Sequence, residues 1–212
     1  MCPRPRKTET DGNDSVRVRI LDEAKKLFRQ KGYMAVSIND ITEAVGVTKP
    51  TLYYYFGDKE NLYADVLVHM MESGYRQFKA HVANVPDCSE KLRLLAAGYF
   101  EFSPTSILTL MRDTQEHLGE SAQQKVMTAN RQFMLAPFVE IFEGLVEQYP
   151  HLAGRAEMLA KLFVSLMDVF TIEHKCETNP SSAYQGLAAE LVGMFLHGVL
   201  APKSELYART SR

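Results

Sequence analysis

Residues 37–62 of the chain read SINDITEAVGVTKPTLYYYFGDKENL. The first part of this stretch predicts a short helix. Ser37 and Asp40 have the three-residue spacing of a capping box, in which each side chain accepts a hydrogen bond from the other residue's backbone N–H. The apolar residues that follow share one face of the helix, and they are Ile38, Ile41 and Val45. Gly46 is expected to end this helix.

A second short helix is predicted immediately after the first. Thr48 can cap it, and Pro50 falls in its first turn, where a missing backbone N–H costs nothing. Leu52 and Phe56, one turn apart, give the helix an inward edge, and Gly57 is expected to end it. Only a short turn separates the two helices, and this spacing is typical of a helix-turn-helix.

The second helix carries side chains suited to reading DNA. In a helix-turn-helix the first helix braces the second, whose N-terminal half enters the major groove. Free backbone N–H groups at that end favour a phosphate, and tyrosines can contact phosphates, sugars and thymine methyl groups. The residues predicted to contact DNA are Asn39, Thr48, Lys49, Pro50, Thr51, Tyr53, Tyr54, Tyr55 and Lys59.

The plainer interpretation is that Tyr53, Tyr54 and Tyr55 are core aromatics and that the lysines lie on a solvated face. Three consecutive residues are spread around most of a helix, so a two-turn helix cannot bury all three tyrosines. One of them is expected to point inward beside Phe56, and at least one is expected to point outward without a packing role.

Helical patterns extend along the rest of the chain. Residues 1–14 are expected to form a disordered tail, and residues 15–31 an amphipathic helix that Gly32 ends. Further helices are predicted at 59–81, 90–102, 104–118, 121–148, 153–175 and 182–200. Pro137 is expected to kink the 121–148 helix if that helix is continuous. Because no stretch alternates apolar and polar residues with a period of two, the predicted fold class is all-α.

The helix-turn-helix stretch, together with Gly32 and Tyr33, resembles the N-terminal signature of the TetR/AcrR family of transcriptional regulators. The hallmark is a Leu-Tyr-x-Tyr-Phe-x-x-Lys-x-x-Leu string after a Gly-Val-Ser/Thr turn, and residues 46–62 carry it. Two positions depart from the usual pattern, since Thr42 stands where alanine is common and Pro50 where glycine is frequent. The proline is expected to affect how closely the backbone approaches DNA.

This resemblance implies an architecture and a function. It implies a three-helix DNA-binding domain, placed here at residues 15–58, followed by a larger helical ligand-binding and dimerisation domain at residues 59–212. It also implies a repressor that a small molecule releases from a palindromic operator. The partners expected by resemblance are therefore double-stranded DNA, a second copy of the chain and a small-molecule effector.

The last two long helices carry unusually wide apolar stripes. The 153–175 helix has Met158, Leu159, Leu162, Phe163, Leu166, Met167 and Phe170, and the 182–200 helix has Leu187, Leu191, Met194, Phe195, Leu196 and Val199. Such stripes need burial on two sides. Burial in the chain's own core would account for much of the pattern, whereas the resemblance implies that a second subunit covers part of it. We therefore expect a homodimer formed through these two helices.

A ligand pocket is expected among the helices between residues 99 and 175. The candidates for its wall are Tyr99, Phe102, Met111, His117, Phe133, Met134, Phe138, Phe163 and Phe170, with His117 supplying a polar contact. Methionine and aromatic residues at helical spacing are more commonly ordinary core. Asp113 and His117 lie one turn apart, as two metal ligands can, but two ligands do not make a site. No metal and no cofactor is expected.

Composition argues against several other classes of protein. The chain has no run of about 18 apolar residues, so no membrane-spanning helix is expected, and its polar, basic N-terminus does not resemble a signal peptide. A cytoplasmic location is therefore expected. The cysteines, Cys2, Cys88 and Cys176, are too far apart to predict a disulfide framework or a zinc module. A redox switch at one of them stays an open alternative.

Charge is mildly asymmetric along the chain. Residues 1–60 carry 11 Lys and Arg against 9 Asp and Glu, whereas the remainder is net acidic, and this sign suits a DNA-binding N-terminus. An enzyme is the main alternative, but the sequence has no Gly-rich phosphate loop, no GxSxG elbow and no HExxH pair. A ligand-independent architectural DNA binder is the second alternative, and it would not need so large a C-terminal region.

Overall fold

The computed structural model of the chain describes residues 9–102, 107–173 and 180–200, with side chains at 15–101, 112–170 and 183–200. Within these residues the secondary structure is helical and contains no strand, which confirms the all-α prediction. The helices are α1 (Glu9–Lys31), α2 (Ile38–Val45), α3 (Lys49–Phe56), α4 (Lys59–Val82), α5 (Cys88–Phe102), α6 (Ile107–His117), α7 (Glu120–Ala129), α8 (Ala136–Val146), α9 (Ala156–Glu173) and α10 (Pro180–Leu200).

Helix α1 begins earlier than the sequence predicted. Residues 9–14, which were expected to belong to a disordered tail, are helical. Extending a helix that already exists is easier than starting one, and the helix predicted from residue 15 continues back to Glu9. Residues 1–8 lie outside the described residues.

The predicted helix at 121–148 is interrupted close to Pro137. A π-helical segment, Asn130–Leu135, joins α7 to α8. Proline has no N–H to donate to the carbonyl four residues earlier, and the backbone N–H of Ala136 donates to the carbonyl of Arg131, five residues earlier. Just before the proline, the backbone hydrogen bonds therefore join residues five positions apart rather than four, which widens the helix.

The remaining helix ends differ from the predictions by a few residues. Helix α5 begins at Cys88 because Asp87 caps it, its Oδ1 accepting a hydrogen bond from the N–H of Glu90 at 2.7 Å. A short 3-10 turn at Pro150–Leu152 precedes α9, which begins at Ala156 rather than at residue 153. Caps and short turns of this kind decide boundaries that periodicity alone leaves open.

The chain forms two compact units. The N-terminal unit contains residues 1–70 and 114–127, and the C-terminal unit contains residues 71–113 and 128–212. Helix α4 is continuous through residue 70. The N-terminal unit thus includes more of the chain than the predicted DNA-binding domain at 15–58, because the start of α4 and the α6–α7 connection belong to it.

Each unit has its own buried apolar residues. In the N-terminal unit they include Ile20, Leu21, Ala24, Val36, Ile41, Leu52, Leu62 and Val66. In the C-terminal unit α5, α8, α9 and α10 surround a cluster that includes Leu92, Phe138, Phe142, Phe163, Met167 and Leu191. None of the helices in the described part of the chain is long and apolar enough to cross a lipid bilayer.

Candidate nucleic-acid interface

Helix α2 starts with the capping box that the sequence predicted. The N–H of Asp40 donates to Ser37 Oγ at 3.1 Å, and the N–H of Ser37 donates to Asp40 Oδ2 at 2.7 Å. The hydroxyl of Ser37 donates to the same carboxylate oxygen at 2.6 Å. These hydrogen bonds from Ser37 hold the pKa of Asp40 below its ordinary value because they favour the ionised carboxylate.

The turn after α2 depends on Gly46. Its φ of 76° lies in the left-handed region that glycine adopts without strain, and its N–H donates to the carbonyl of Thr42 at 2.9 Å. Arg19 of α1 fixes the same end of α2, since its Nη2 donates to the carbonyl of Val45 at 2.8 Å. The turn that sets the direction of α3 is therefore held by a hydrogen bond within α2 and by a second one from α1.

Helix α3 has one buried edge and a capped N-terminus. Thr48 Oγ1 accepts a hydrogen bond from the N–H of Thr51 at 3.3 Å and lies 2.9 Å from the hydroxyl of Thr51. Leu52 and Phe56 are buried and attach the helix to the core of the N-terminal unit. The predicted cap and inward edge are thus confirmed.

The remaining side chains of α3 form its outward surface. Tyr54 is 78% exposed and Tyr53 is 45% exposed, whereas Tyr55 is half-buried and its ring lies 5.3 Å from that of Tyr54. Thr48, Lys49 and Pro50 are exposed at the start of the helix, with Thr51 half-buried, and Asn39 is exposed on α2. Tyr55 is thus the least exposed of the three tyrosines, and the helix does not bury all three, as their spacing predicted.

Lys59 is held at the start of α4. Its Nζ lies 4.3 Å from the centroid of the Tyr33 ring, and burial lowers the pKa of its ammonium group. Asp58 caps the same helix, its Oδ1 accepting from the N–H of Asn61 at 2.7 Å and its Oδ2 from the side-chain amide of Asn61 at 2.9 Å. Lys59 is therefore the residue that follows Asp58, the N-cap of α4.

The connection between α6 and α7 contacts α4 within the N-terminal unit. The N–H of Gly119 donates to Glu60 Oε2 at 2.8 Å. The buried carboxylate of Asp65 pairs with Arg17 of α1 at 2.7 Å and also with Lys125 of α7. Residues 114–127 are therefore attached to the first turns of α4 by two polar contacts.

His117 belongs to the N-terminal unit, whereas the other residues predicted to line a pocket fall in the stretches assigned to the C-terminal unit. Its ring stacks on Tyr33 with a centroid distance of 5.6 Å and an interplanar angle of 23°. Its predicted partner Asp113 falls in the C-terminal unit. Among the side chains that are described, no three His, Cys, Asp or Glu residues lie close enough together to hold a metal ion.

Most of the other pocket candidates meet in the C-terminal unit. Tyr99, Phe138 and Phe163 are buried in its core, and Met134 and Phe170 pack against the same cluster while partly buried. Phe133 is half-buried, and its ring lies 5.7 Å from that of Tyr75. The side chains of Phe102 and Met111 lie outside the described residues.

Three side chains at these sites were not predicted from the sequence. Tyr33 belongs to the quoted signature, but its contact with Lys59 depends on residues far apart in the chain. Arg19 reaches the carbonyl of Val45, 26 residues further along the chain, and no local pattern indicates that contact. Asp168 is buried on α9 and accepts a hydrogen bond from the Tyr99 hydroxyl at 3.1 Å. An acidic residue within the apolar stripe of α9 was the one available signal for that pair.

The N-terminal helices match a known family. Residues 20–66 match the family model for bacterial regulatory proteins of the tetR family. The matched residues include all of α2 and α3, the turn between them and the start of α4.

Known proteins and structures extend this likeness. The HTH-type transcriptional repressor KstR2 of Rhodococcus jostii (strain RHA1) is 25% identical over 149 residues, which are 69% of this chain and 71% of that protein. The HTH-type transcriptional activator FasR of Mycolicibacterium smegmatis is 34% identical over 92 residues, 42% of this chain and 41% of FasR, so the chain matches less than half of FasR.

A solved structure shows the same fold over a longer part of the chain. The crystal structure of a TetR-family transcriptional regulator from Agrobacterium tumefaciens superposes with a TM-score of 0.67 at 19% identity, covering 86% of this chain and 98% of that one.

Proposed function

Because the chain belongs to the TetR family of bacterial regulatory proteins, we propose that it is a repressor that a small molecule releases from a palindromic operator. The protein is a DNA-binding transcriptional regulator and not an enzyme. The observation that carries the proposal is the outward surface of α3, where Tyr54 is 78% exposed on a helix that is otherwise fixed by its buried edge.

The shape of α3 suits insertion into the major groove. An α-helix fits the groove of B-DNA, and Thr48, Lys49 and Pro50 are exposed at the start of α3. Tyr53 and Tyr54 then extend outward one turn further along. In this arrangement Lys49 and Lys59 contact phosphates, which position the protein, and the tyrosines contact base edges and sugars, which contribute to sequence preference.

A palindromic operator requires two reading helices, and α9 offers a surface that would pair two copies. Leu159, Phe163 and Met167 are buried on one face of α9. The exposed large apolar residues of the last two helices are Met158, Leu162, Leu166, Val169 and Met194, each more than 40% exposed. An exposed apolar stripe on a long helix marks an interaction surface, and a twofold pair of α9 and α10 would cover it.

Release by an effector requires a link between the C-terminal unit and the reading helix. Helix α4 is the candidate link because it is one continuous helix through the boundary at residue 70. An effector bound among the candidate pocket residues would shift α4 and with it the separation of the two α3 helices. Those helices must match major grooves about 34 Å apart, so an effector with different affinities for the two separations changes operator occupancy.

The alternative to repression is activation of transcription, since one relative, FasR, is named a transcriptional activator. A reporter assay distinguishes repression from activation. A promoter carrying the DNA recovered with the purified protein drives a reporter gene in a bacterial host that lacks this regulator. Repression and activation both require a protein that acts in the cytoplasm, where the DNA is.

Repression predicts that expression of the wild-type chain lowers the reporter signal and that Tyr54→Ala restores it. A screen of small metabolites then identifies effectors as compounds that restore the signal with the wild-type chain and release it from the purified duplex. A higher reporter signal with the wild-type chain would show activation. An unchanged signal across the metabolite screen, with repression intact, would contradict release by an effector.

A further inference from the structure

Lys59 occupies an unfavourable position for a lysine. It is the first residue of α4, where the helix dipole is positive and a cation is destabilising. Burial lowers the pKa of its ammonium group. Among the described side chains it forms no ion pair with a carboxylate. A lysine in this situation needs another interaction to hold its side chain in place.

The two carboxylates that flank Lys59 in the sequence are engaged elsewhere. Asp58 accepts two hydrogen bonds from Asn61. Glu60 accepts a hydrogen bond from the N–H of Gly119. The nearest acidic residues along the chain are thus turned towards other donors, and neither neutralises the ammonium group of Lys59.

The ring of Tyr33 provides the missing interaction. The Lys59 ammonium lies 4.3 Å from its centroid, within the range in which a cation is attracted to the electron-rich face of an aromatic ring. Burial, with smaller effects from Glu60 and Asp58, raises the pKa of the Tyr33 phenol, so the ring interacts with the lysine as a neutral phenol at neutral pH.

Tyr33 is itself held by three aromatic neighbours. Its ring centroid lies 4.7 Å from Tyr63, 5.6 Å from His117 and 5.9 Å from Phe28. These neighbours come from α1, α4 and α6. A ring packed in this way has few alternative positions, so it can fix the position of a cation placed over it.

We infer that Tyr33 is a positioning residue for DNA binding, whose ring holds the ammonium group of Lys59 ready for a backbone phosphate. This inference rests on the proposed function, because the lysine has a phosphate to contact only if the chain binds DNA. A carboxylate in the place of the ring would also orient the lysine, but it would neutralise the charge that attracts the phosphate. An aromatic ring orients the ammonium group and leaves its charge and its N–H donors available.

The test compares ring variants on a fluorescently labelled duplex. The duplex carries the DNA recovered with the wild-type protein, or a mixed sequence if none is recovered, and affinity is measured by anisotropy across a salt series. Tyr33→Phe keeps the ring and is expected to bind like the wild type. Tyr33→Leu removes the ring face and is expected to weaken binding about two- to fivefold. Pentafluorophenylalanine at position 33 keeps the ring shape but reverses the potential of its face, and it is expected to weaken binding equally.

A double-mutant cycle shows whether Tyr33 acts through Lys59. Lys59→Ala is expected to weaken binding and to lower the slope of log affinity against log salt by about 1, as for one lost phosphate contact. In the Lys59→Ala background, Tyr33→Leu is expected to cause no further loss. Lys26→Ala is the matched control, since Lys26 pairs with Glu23 on α1, and its salt slope is expected to match that of the wild type.

Equal losses from Tyr33→Leu with and without Lys59 would show that Tyr33 acts only through the fold, and would overturn the inference while leaving DNA binding intact. Wild-type affinity in the fluorinated variant, with its thermal unfolding unchanged, would overturn it as well. Absence of salt-dependent binding by the wild-type protein would overturn the proposed function and the inference together.

Discussion

Tyr54 is the side chain that most directly distinguishes a reading helix from a helix that only packs. It is 78% exposed, and its ring lies 5.3 Å from that of Tyr55, a neighbour on the same helix. Such exposure leaves little apolar area to be lost from the core when the ring is removed. The stability of the fold therefore does not explain its presence on α3, whereas the proposed DNA contact would.

Tyr54→Ala is expected to weaken binding to the recovered DNA site about tenfold, as for the loss of one base-contacting side chain. Thermal unfolding is expected to stay within about a degree or two of the wild type, because exposed positions contribute little to stability. Met127→Ala, at another exposed apolar position of the N-terminal unit, is the control and should bind normally. Normal binding by Tyr54→Ala would remove this tyrosine from the interface.

At the residue scale, the features predicted well were those that depend on residues close together in the sequence. Ser37 and Thr48 were identified as caps because a cap depends on residues only three positions away. The contact of Tyr33 with Lys59 depends on residues 26 positions apart in the sequence and on the packing of three further rings. Side-chain pairs of that kind follow from tertiary structure, and periodicity does not reveal them.

At the scale of single helices, the capping box makes the stability of α2 depend on pH. The pKa of Asp40 is lowered by its hydrogen bonds with Ser37. A carboxyl group whose folded-state pKa lies below its unfolded value contributes stability above the unfolded pKa and loses it as the pH falls through the folded pKa. The contribution of Asp40 is thus present at neutral pH and lost under acid conditions.

Ser37→Ala is expected to raise the pKa of Asp40 towards its ordinary value and to lower the midpoint of thermal unfolding at neutral pH. The difference in midpoint between variant and wild type should shrink as the pH falls below the unfolded pKa of aspartate. NMR titration of the Asp40 carboxyl carbon and unfolding curves at several pH values measure both effects. An Asp40 pKa that is the same in the two proteins would show that Ser37 does not stabilise the carboxylate.

Helices α1, α4 and α7 are joined through one buried acid. Asp65→Ala removes a carboxylate that pairs with Arg17 and Lys125 and leaves two cations close together. Because both cations are partly exposed, we expect a loss of about 1–2 kcal/mol in the free energy of unfolding, measured with urea. Glu23→Ala breaks an exposed pair with Lys26 and should lower the free energy of unfolding much less than Asp65→Ala does. Equal losses in the two variants would contradict a special role for Asp65.

Helix identity was easier to predict than helix ends or interruptions. The short helices α2 and α3 were placed to within a residue because glycine and capping residues mark both ends. Pro137 signalled a disturbance in the 121–148 region, but the π-helical segment before it depends on how the freed carbonyl groups find new partners. The predicted tail at 9–14 was wrong because nothing in the local sequence separates a frayed end from an added helical turn.

For the molecule as a whole, the exposed stripe of α9 predicts self-association. Leu162→Lys places a charge at the middle of the stripe, at a position that is 51% exposed in the single chain. Because the residue has little burial to lose, the protomer should stay folded while the dimer dissociates at least tenfold more readily. Sedimentation velocity measures the dimer, and circular dichroism measures the fold.

Gln148→Glu adds a charge to an exposed residue after α8 and serves as the control that should remain dimeric. Binding to the recovered DNA site should weaken in Leu162→Lys and not in Gln148→Glu, since one protomer contacts only half of a palindrome. A wild-type protein that sediments as a monomer at every concentration would refute the pairing of α9 and α10.

We propose that this chain reads one palindromic DNA site through α3. The most direct test is to select fragments of the source genome with the purified protein and to measure the affinity of each recovered fragment across a salt series. We expect the tightly bound fragments to share one palindromic sequence and their affinity to fall steeply as salt rises. Equal and weak retention of all fragments, with no shared sequence, would contradict it.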